Sequence, residues 1–178
     1  MKNVKIVGAS RAYQTMFEQL GYTPVERIED AHLVCFTGGE DVNPALYQAQ
    51  KAPETRSSIN RDVQDVAFYL QAKDKGLPCV GICRGGQFLN VMSGGSMVQH
   101  VEGHTRQHLA YPSGRLQGTP NGFVTSTHHQ VMFPSTNEPY EVFAVGDSND
   151  DGYVPYEILF YPELGNLCFQ PHPEFERD

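Results

Sequence analysis

The order of apolar and polar residues at the start of the chain predicts alternating strands and helices. Residues 4–9 form a compact apolar run typical of a buried strand, and apolar runs at 25–28 and 31–36 predict two more strands. After the first run, Ser10 is placed to cap a helix that ends at Gly21. This order and spacing favour an α/β protein with a parallel sheet. The apolar face of the helix contains Tyr13, Met16, Phe17 and Leu20.

A longer helical pattern at 59–75 divides its residues between two faces, and Gly76 ends it. Such a division predicts an amphipathic helix. The apolar face holds Val63, Val66, Ala67 and Leu70. The other face holds Arg61, Asp62 and Asp65.

The second half of the chain predicts further strands and one long loop. Residues 109–122 are rich in Pro, Gly, Ser and Gln, and we interpret them as a loop able to cover a site. The acidic turn at 146–152 lacks the spaced glycine and final glutamate of a calcium loop, so a solvated turn is favoured. Strands are predicted at 77–82, 96–101, 123–127 and 166–170, with an antiparallel pair at 141–145 and 153–160.

Length and composition narrow the function classes. A chain of 178 residues fits one domain, 1–178. Its net charge of −8 argues against nucleic acid or an anionic membrane as the main partner. The N-terminus lacks a long apolar h-region, so we predict no signal peptide. No apolar run approaches the roughly 20 residues that span a bilayer. Four cysteines without a C-x-x-C motif indicate a reducing cytoplasm, where Cys35, Cys79 and Cys168 are expected to be small buried apolar residues.

One stretch has the form of a nucleophile elbow with cysteine in place of serine. Cys83 follows a short apolar run, stands between Gly81 and Gly85, and precedes a helical pattern that ends near residues 93–95. A nucleophile on a sharp strand-to-helix turn needs small neighbours, and the helix dipole favours the reactive thiolate. The alternative is a buried cysteine beside a glycine-rich turn.

A second strand end offers a base for such a nucleophile. Pro173 biases His172 toward an extended backbone, so Glu174 can turn back toward the imidazole. A carboxylate on one ring nitrogen would leave the other nitrogen to face the sulfur. The alternative is a surface histidine flanked by prolines. Strand ends of one parallel sheet meet at one edge, which favours a joint site with Cys83.

Two other patterns are less specific. Gly38 and Gly39 follow a predicted strand, where the backbone could approach a ligand or simply turn. His100, His104 and His108 stand four apart, but the polar, glycine-containing segment is a poor helix and lacks acidic or cysteine ligands. We therefore predict no metal and no cofactor.

Taken together, these motifs resemble the class I glutamine amidotransferases, and more narrowly the gamma-glutamyl hydrolase and gamma-glutamyl-gamma-aminobutyrate hydrolase branch (peptidase C26-like). The motifs occur in the family's order along nearly the whole chain. They are Gly38-Gly39-x-Asp41-Val42-x-Pro44-x-x-Tyr47, Arg61-Asp62, Gly81-Ile82-Cys83-Arg84-Gly85-x-Gln87-x-x-Asn90-Val91-x-x-Gly94-Gly95, Ser126-x-His128-His129-Gln130 and Gln170-x-His172-Pro173-Glu174.

The resemblance implies a fold and roles for particular residues. The fold would be a three-layer, flavodoxin-like, mostly parallel sheet flanked by helices, with a small antiparallel extension. Cys83 would attack a gamma-glutamyl amide, His172 would transfer protons and Glu174 would orient His172. The backbone N–H groups of Gly39 and Arg84 would form the oxyanion hole. The substrate pocket would be lined by Gly38, Gln87, Ser126, His128 and His129, of which the two histidines could instead be structural.

The chain also departs from the family pattern. It stops four residues after Glu174, so the usual closing helix is expected to be absent or truncated. Pro171 stands where the family usually has an aromatic residue, and Thr125 where the group often has asparagine. These departures concern substrate range and triad geometry rather than the nucleophile.

Three functions remain open from the sequence. The favoured one is a free-standing cytoplasmic hydrolase of small-molecule gamma-glutamyl amides. The alternative is a glutaminase subunit that supplies ammonia to a separate synthase or amidoligase partner. The third is an inactive binding module, against which the intact Cys83, His172 and Glu174 argue.

Overall fold

A computed structural model describes residues 2–8, 10–102, 107–125, 127–147 and 152–175. Ser126, His104 and most of the predicted acidic turn therefore lie outside the described residues. The helices are α1 (Arg11–Gln19), α2 (Ile59–Asp74) and α3 (Arg84–Met92). The strands are β1 (Lys2–Val7), β2 (Tyr22–Val25), β3 (Leu33–Phe36), β4 (Cys79–Ile82), β5 (Ser96–Val98), β6 (His108–Pro112), β7 (Gly122–Val124), β8 (Val131–Phe133), β9 (Glu141–Gly146), β10 (Tyr156–Tyr161) and β11 (Asn166–Phe169).

A mixed sheet forms the middle layer, in the order β2-β1-β3-β4-β11-β10-β9-β6-β7. The first five strands are parallel, and the remaining strands pair antiparallel. This confirms the predicted α/β class with a parallel sheet and an antiparallel extension. The extension has four strands and is larger than predicted. Since β3, β4 and β11 are adjacent and parallel, the residues that follow them share one edge of the sheet.

Helices cover both faces of the parallel strands. One buried cluster combines Tyr69 of α2 and Phe88 of α3 with Phe36 of β3. On the opposite face, Tyr13 and Phe17 of α1 pack with the strand side chains of a second cluster. The sheet is therefore the middle of three layers, as expected. Within the described residues, no helix is both long and apolar enough to cross a membrane.

The segment predicted as a long loop begins with four residues of β6 and ends on the first residue of β7, so that prediction is wrong for 109–112 and 122. β6 pairs with β9 and β7 pairs with β6, which leaves only 113–121 as a connection. The second half of β6 pairs with β9, more than 30 residues later, and local composition does not reveal such a partner. The second strand also forms earlier than predicted, at Tyr22–Val25, while Ile28–Asp30 is a short 3₁₀ helix.

Helix α2 reverses the burial usual for an amphipathic helix. Asp62 and Asp65 are buried, whereas Val63 and Leu70 are 65% and 58% exposed. The reason is a partner beyond the helix, because both aspartates contact the buried guanidinium of Arg84 on α3. Burying the Arg84 charge without a carboxylate partner would cost several kcal/mol. Pairing Arg84 with the two aspartates therefore stabilises the fold more than burial of Val63 and Leu70 would.

Candidate active site

Cys83 lies at the sharp turn between β4 and α3. Its φ and ψ of 53° and −114° are rare for a non-glycine residue, and such strain is common at functional sites. A Cβ atom at Gly81, Gly85 or Gly86 would collide with a backbone carbonyl of Gly85, Phe36 or Phe169, respectively. The glycines are therefore a steric requirement of the turn. The structure has the strand–turn–helix context that a nucleophile elbow needs.

His172 and Glu174 follow β11, the strand adjacent to β4. His172 Nδ1 lies 2.7 Å from Glu174 Oε1, so the carboxylate fixes that ring nitrogen as a donor. The other nitrogen, Nε2, lies 2.9 Å from the hydroxyl oxygen of Thr127. The ring of Phe175 stacks on the imidazole with centroids 4.9 Å apart. Contacts on both nitrogens and on one face therefore hold the imidazole in one orientation.

The electrostatics of His172 favour its charged form. Burial alone would lower its pKa, but interactions with Cys83 and Glu174 outweigh burial and raise the pKa from 6.5 to about 10. At neutral pH, His172 is therefore an imidazolium that can donate a proton. The outcome is opposite for the three cysteines predicted in strands, because burial favours their neutral form. Burial raises the pKa of the thiols of Cys35, Cys79 and Cys168.

Gly38 fills the space between Cys83 and His172. The position of a Cβ at residue 38 would be 3.2 Å from His172 Cε1, 3.2 Å from the Tyr13 hydroxyl and 3.7 Å from Cys83 Cβ. The two predicted reactive side chains are therefore brought to one place. Gly39 follows with a φ of +151°, a conformation that glycine adopts most readily. The first N–H groups of α3, beginning with Arg84, have no partner within the helix. Gly39 and Arg84, the two predicted oxyanion residues, line the same cavity as Cys83.

An arginine–aspartate network (Arg61, Asp62, Asp65 and Arg84) supports these backbone groups. Arg84 Nη2 lies 2.5 Å from Asp62 Oδ1, and Arg84 Nη1 contacts Asp65 Oδ2. Arg61 binds Asp65 and donates to the carbonyl of Thr37, 3.1 Å away. Burial raises the pKa of Asp62, although Arg84 opposes the shift. The network joins α2 to both strand ends that present the predicted oxyanion donors.

A cavity of about 260 Å³ opens beside these groups, a size suited to a small ligand. Two larger depressions of about 450 and 590 Å³ lie elsewhere, but they lack the Cys83 and His172 side chains. Chemistry rather than size therefore marks the candidate site. The smaller cavity is lined by Gly39, Glu40, Asp41, Arg56, Cys83, Arg84, Gln87, Thr127, His128, His129 and His172.

The predicted pocket residues occupy different surroundings. Gln87 is buried and donates from Nε2 to Gln170 Oε1 at 3.1 Å. His128 Nδ1 lies 2.7 Å from the carbonyl oxygen of Gln130. His129 has both ring nitrogens near protein groups, with Nε2 3.3 Å from Asp41 Oδ2 and Nδ1 3.3 Å from His100 Nδ1. Gln87, His128 and His129 line the cavity, whereas Gly38 is not among its lining residues and Ser126 falls outside the described residues.

His108 lies apart from the His100–His129 contact and pairs with the buried Glu157 at 2.8 Å. His104 is not described. Within the described ranges, no three His, Cys, Asp or Glu side chains are arranged to hold a metal ion.

Several residues of the site were missed by sequence reasoning. Tyr13 was placed only on the apolar face of α1, and Asp65 only on the polar face of α2. Thr127 had no assigned role, although it contacts His172. The Arg61-Asp62 motif was a signal for the arginine–aspartate network, but no local pattern indicates its contact with Arg84.

Comparisons with known proteins agree with this geometry. The Peptidase C26 family model matches residues 18–174. A protein of Mycobacterium tuberculosis, provisionally named a glutamine amidotransferase, is 39% identical over 85% of this chain; the aligned region spans 53% of that protein, about half its length. The glutamine-hydrolysing GMP synthase of Aquifex aeolicus is 27% identical over 85% of this chain and 26% of its own length.

A solved glutamine amidotransferase of Thermotoga maritima has a TM-score of 0.69 at 14% identity, covering 97% of this chain and 76% of that chain. At this identity, the likeness concerns the fold alone. The family match is independent of it and extends from α1 past His172 to Glu174. The chain therefore belongs to the Peptidase C26 family, whose members resemble the glutamine amidotransferases.

Proposed function

We propose that the protein hydrolyses the gamma-glutamyl amide bond of glutamine or of a gamma-glutamyl amine, with Cys83, His172 and Glu174 as the catalytic triad. The observation that supports this most is the elbow geometry of Cys83 beside a His172 imidazole already held by Glu174. Cysteine nucleophiles need such a base, and the base needs such an orienting group. Family membership makes an amide substrate the natural choice.

In the acylation step, the Cys83 thiolate attacks the side-chain carbonyl carbon of the gamma-glutamyl group. A carbon–sulfur bond forms, and the carbonyl oxygen becomes an oxyanion that the N–H groups of Gly39 and Arg84 stabilise. Each such donor contributes about 3 kcal/mol in comparable reactions. The carbon–nitrogen bond then breaks as His172 transfers its Nε2 proton to the leaving amine, which gives a thioester and neutral His172.

In the deacylation step, neutral His172 removes a proton from water while the water oxygen attacks the thioester. The carbon–sulfur bond breaks, glutamate leaves, and the thiolate–imidazolium pair is restored. Glu174 keeps the Nδ1 proton in place in both steps, so that Nε2 always faces the reaction.

The cavity offers groups for the charged end of the substrate. Gly38, Gln87, Ser126, His128 and His129 would hold the amino and carboxylate groups of the glutamyl moiety. Burial of Gln87 and its hydrogen bond to Gln170 fix the orientation of its amide. Residues 1–178 would form one domain that acts in the cytoplasm without nucleic acid or a membrane.

Replacement of the sulfur tests the proposal directly. We expect Cys83→Ser to lower kcat by about a thousandfold or more, because loss of a triad nucleophile removes most of the chemical step. Ammonium release from L-glutamine and amine release from gamma-glutamyl-gamma-aminobutyrate would be measured in parallel. Cys79→Ser is the matched control, since Cys79 is a buried thiol outside the cavity. Equal activity in both variants would contradict the assignment.

A second candidate is a glutaminase subunit that supplies ammonia to a separate synthase or amidoligase. It is favoured by the alignment with about a quarter of the GMP synthase of Aquifex aeolicus, which indicates that this kind of unit also occurs within a larger synthase. The same assay distinguishes the two functions. Turnover of gamma-glutamyl-gamma-aminobutyrate by the protein alone supports the free-standing hydrolase, and glutamine turnover that requires an added synthase supports the subunit.

Labelling separates both functions from an inactive binding module. A chloroketone analogue of glutamine should alkylate Cys83, which lines the cavity, ahead of the other three cysteines, whose raised pKa values keep them as thiols. Mass spectrometry of the digested protein would locate the adduct. An unlabelled Cys83 would favour the binding module.

A further inference from the structure

Tyr13 lies where the two halves of the candidate site meet. It belongs to α1, is 5% exposed, and its hydroxyl oxygen accepts a hydrogen bond from the Gly38 N–H at 2.9 Å. The same hydroxyl is 3.2 Å from the point where a Cβ at residue 38 would stand, and His172 Cε1 is equally close to that point. The Tyr13 hydroxyl therefore lies against both the oxyanion strand end and the triad.

The Tyr13 hydroxyl lies close enough to the Glu174 carboxylate for the two groups to interact. Glu174 binds His172 through Oε1, whereas Glu174 Oε2 is buried and has no hydrogen-bond partner among the described residues. A buried carboxylate oxygen without a donor is costly and rare. The oxygen of Tyr13 already accepts from Gly38, so its own proton remains to be donated.

The protonation of Tyr13 agrees with a donor role. Burial raises its pKa, the Gly38 N–H opposes the shift, and the neighbouring Glu174 carboxylate raises it further. Tyr13 therefore keeps its proton throughout the pH range in which His172 titrates.

We propose that Tyr13 is a positioning residue of the triad, which donates its hydroxyl proton to Glu174 Oε2 while it accepts from Gly38 N–H. The proposal rests on the function proposed above. One side chain then sets the distance between the carboxylate that orients His172 and the strand end that presents Gly39 to the oxyanion. Tyr13 acts through these groups and does not touch the substrate.

The donated hydrogen bond also changes the charge that His172 experiences. A donor on Oε2 spreads the negative charge of Glu174 over two hydrogen bonds, so less of it acts on the imidazolium. Cys83 and Glu174 interact electrostatically with the His172 ring, and the Tyr13 hydroxyl lies near its Cε1 atom. The same cavity is also lined by Glu40, Asp41, Arg56, Arg84, His128 and His129, which both tyrosine variants leave unchanged. Loss of the Tyr13 hydroxyl should therefore raise the pKa of His172.

The test compares Tyr13→Phe with Tyr161→Phe. Tyr161 is also buried, and its hydroxyl accepts from the Ser135 N–H and donates to Asn90 Oδ1, so its partners belong neither to the triad nor to the strand end at Gly38. Both variants lose one two-sided tyrosine hydroxyl, so thermal melting should fall by a similar amount in each. We expect Tyr13→Phe alone to lower kcat about ten- to a hundredfold with an unchanged KM, because small misplacements of reacting groups have effects of this size.

A substrate-independent measurement separates this proposal from the proposed function. The pH titration of the His172 imidazole, followed by NMR with labelled histidine, should have a higher midpoint in Tyr13→Phe than in the wild type, and an unchanged midpoint in Tyr161→Phe. In the wild type, the Tyr13 hydroxyl proton should give a downfield signal that moves upfield in Glu174→Gln, which needs no Tyr13 variant. Equal kcat values and equal His172 midpoints in the two tyrosine variants would overturn the proposal. If the wild type hydrolyses neither substrate but the His172 midpoint still rises in Tyr13→Phe, the result would count against the proposed function and not against the role of Tyr13.

Discussion

Two buried groups of charges adjoin the same cavity, and they differ in what their charges can do. The arginine–aspartate network pairs two guanidinium groups with two carboxylates, and Arg84 is only 1% exposed. The Cys83–His172–Glu174 group contains an imidazole that lines the cavity and can gain or lose a proton. Arginine stays charged at every accessible pH. The first group is therefore suited to hold backbone in place, and the second to exchange protons with a substrate.

The largest expected effect comes from breaking the arginine–aspartate network. Asp65→Ala leaves Arg84 and Arg61 without a shared buried partner, and removal of one member of a buried ion pair costs about 3–5 kcal/mol. Urea denaturation would measure the loss in the free energy of unfolding. The exposed neighbour Gln64 supplies the control variant Gln64→Ala. A loss no greater than that of the control would show that the network does not support the fold.

The corresponding change in the other group should affect rate more than stability. Glu174→Gln preserves the shape of the side chain but removes the charge that favours the His172 imidazolium. We expect kcat to fall about a hundred- to ten-thousandfold, with a smaller loss of stability than in Asp65→Ala. Steady-state kinetics and urea denaturation of the same samples would measure the two effects. A loss of stability with an unchanged kcat would contradict the prediction.

The pH dependence of stability should sharpen the comparison further. Because the pKa of folded His172 is raised above 6.5, its imidazolium stabilises the fold fully below pH 6.5, and this contribution is lost as pH rises through about 10. The stability difference between the wild type and His172→Gln should therefore shrink from pH 6 to pH 10. Denaturation of both proteins at several pH values would measure this difference. A stability difference that grows with pH would contradict the prediction.

The smallest effect is expected within the network itself. Burial raises the pKa of Asp62 despite Arg84, so the folded state holds the ionised form at a cost. Asp62→Asn removes that cost together with one ion pair, and we expect a change within about 1 kcal/mol at pH 7. Asp65→Asn, measured under identical conditions, should be clearly more destabilising. Equal losses would mean that the two aspartates contribute alike.

The sequence predicted the parallel part of the fold because its signals are local. The strand before Cys83, the glycines around it and the strand before His172 each lie within one short segment, and the structure confirms the sheet they form. The buried face of α2 was not predictable in this way. Asp62 and Asp65 are buried because of Arg84, which lies 22 and 19 residues away along the chain.

Other features also depended on distant partners. The pairing of β6 with β9 was hidden for that reason. Tyr13 belongs to an apolar helix face by its spacing, and only the fold brings its hydroxyl to Gly38. The triad, oxyanion and pocket roles stay predictions until the experiments above are done.

The close packing around the glycines of the nucleophile elbow limits which substitutions can accumulate there during evolution. At Gly81, Gly85 and Gly86, the nearest atom that an added Cβ would meet belongs to the main chain. Side-chain crowding can be relieved by a smaller neighbour, but every amino acid has the same carbonyl group. A smaller side chain at a neighbouring position therefore cannot make room for a Cβ at any of these three glycines.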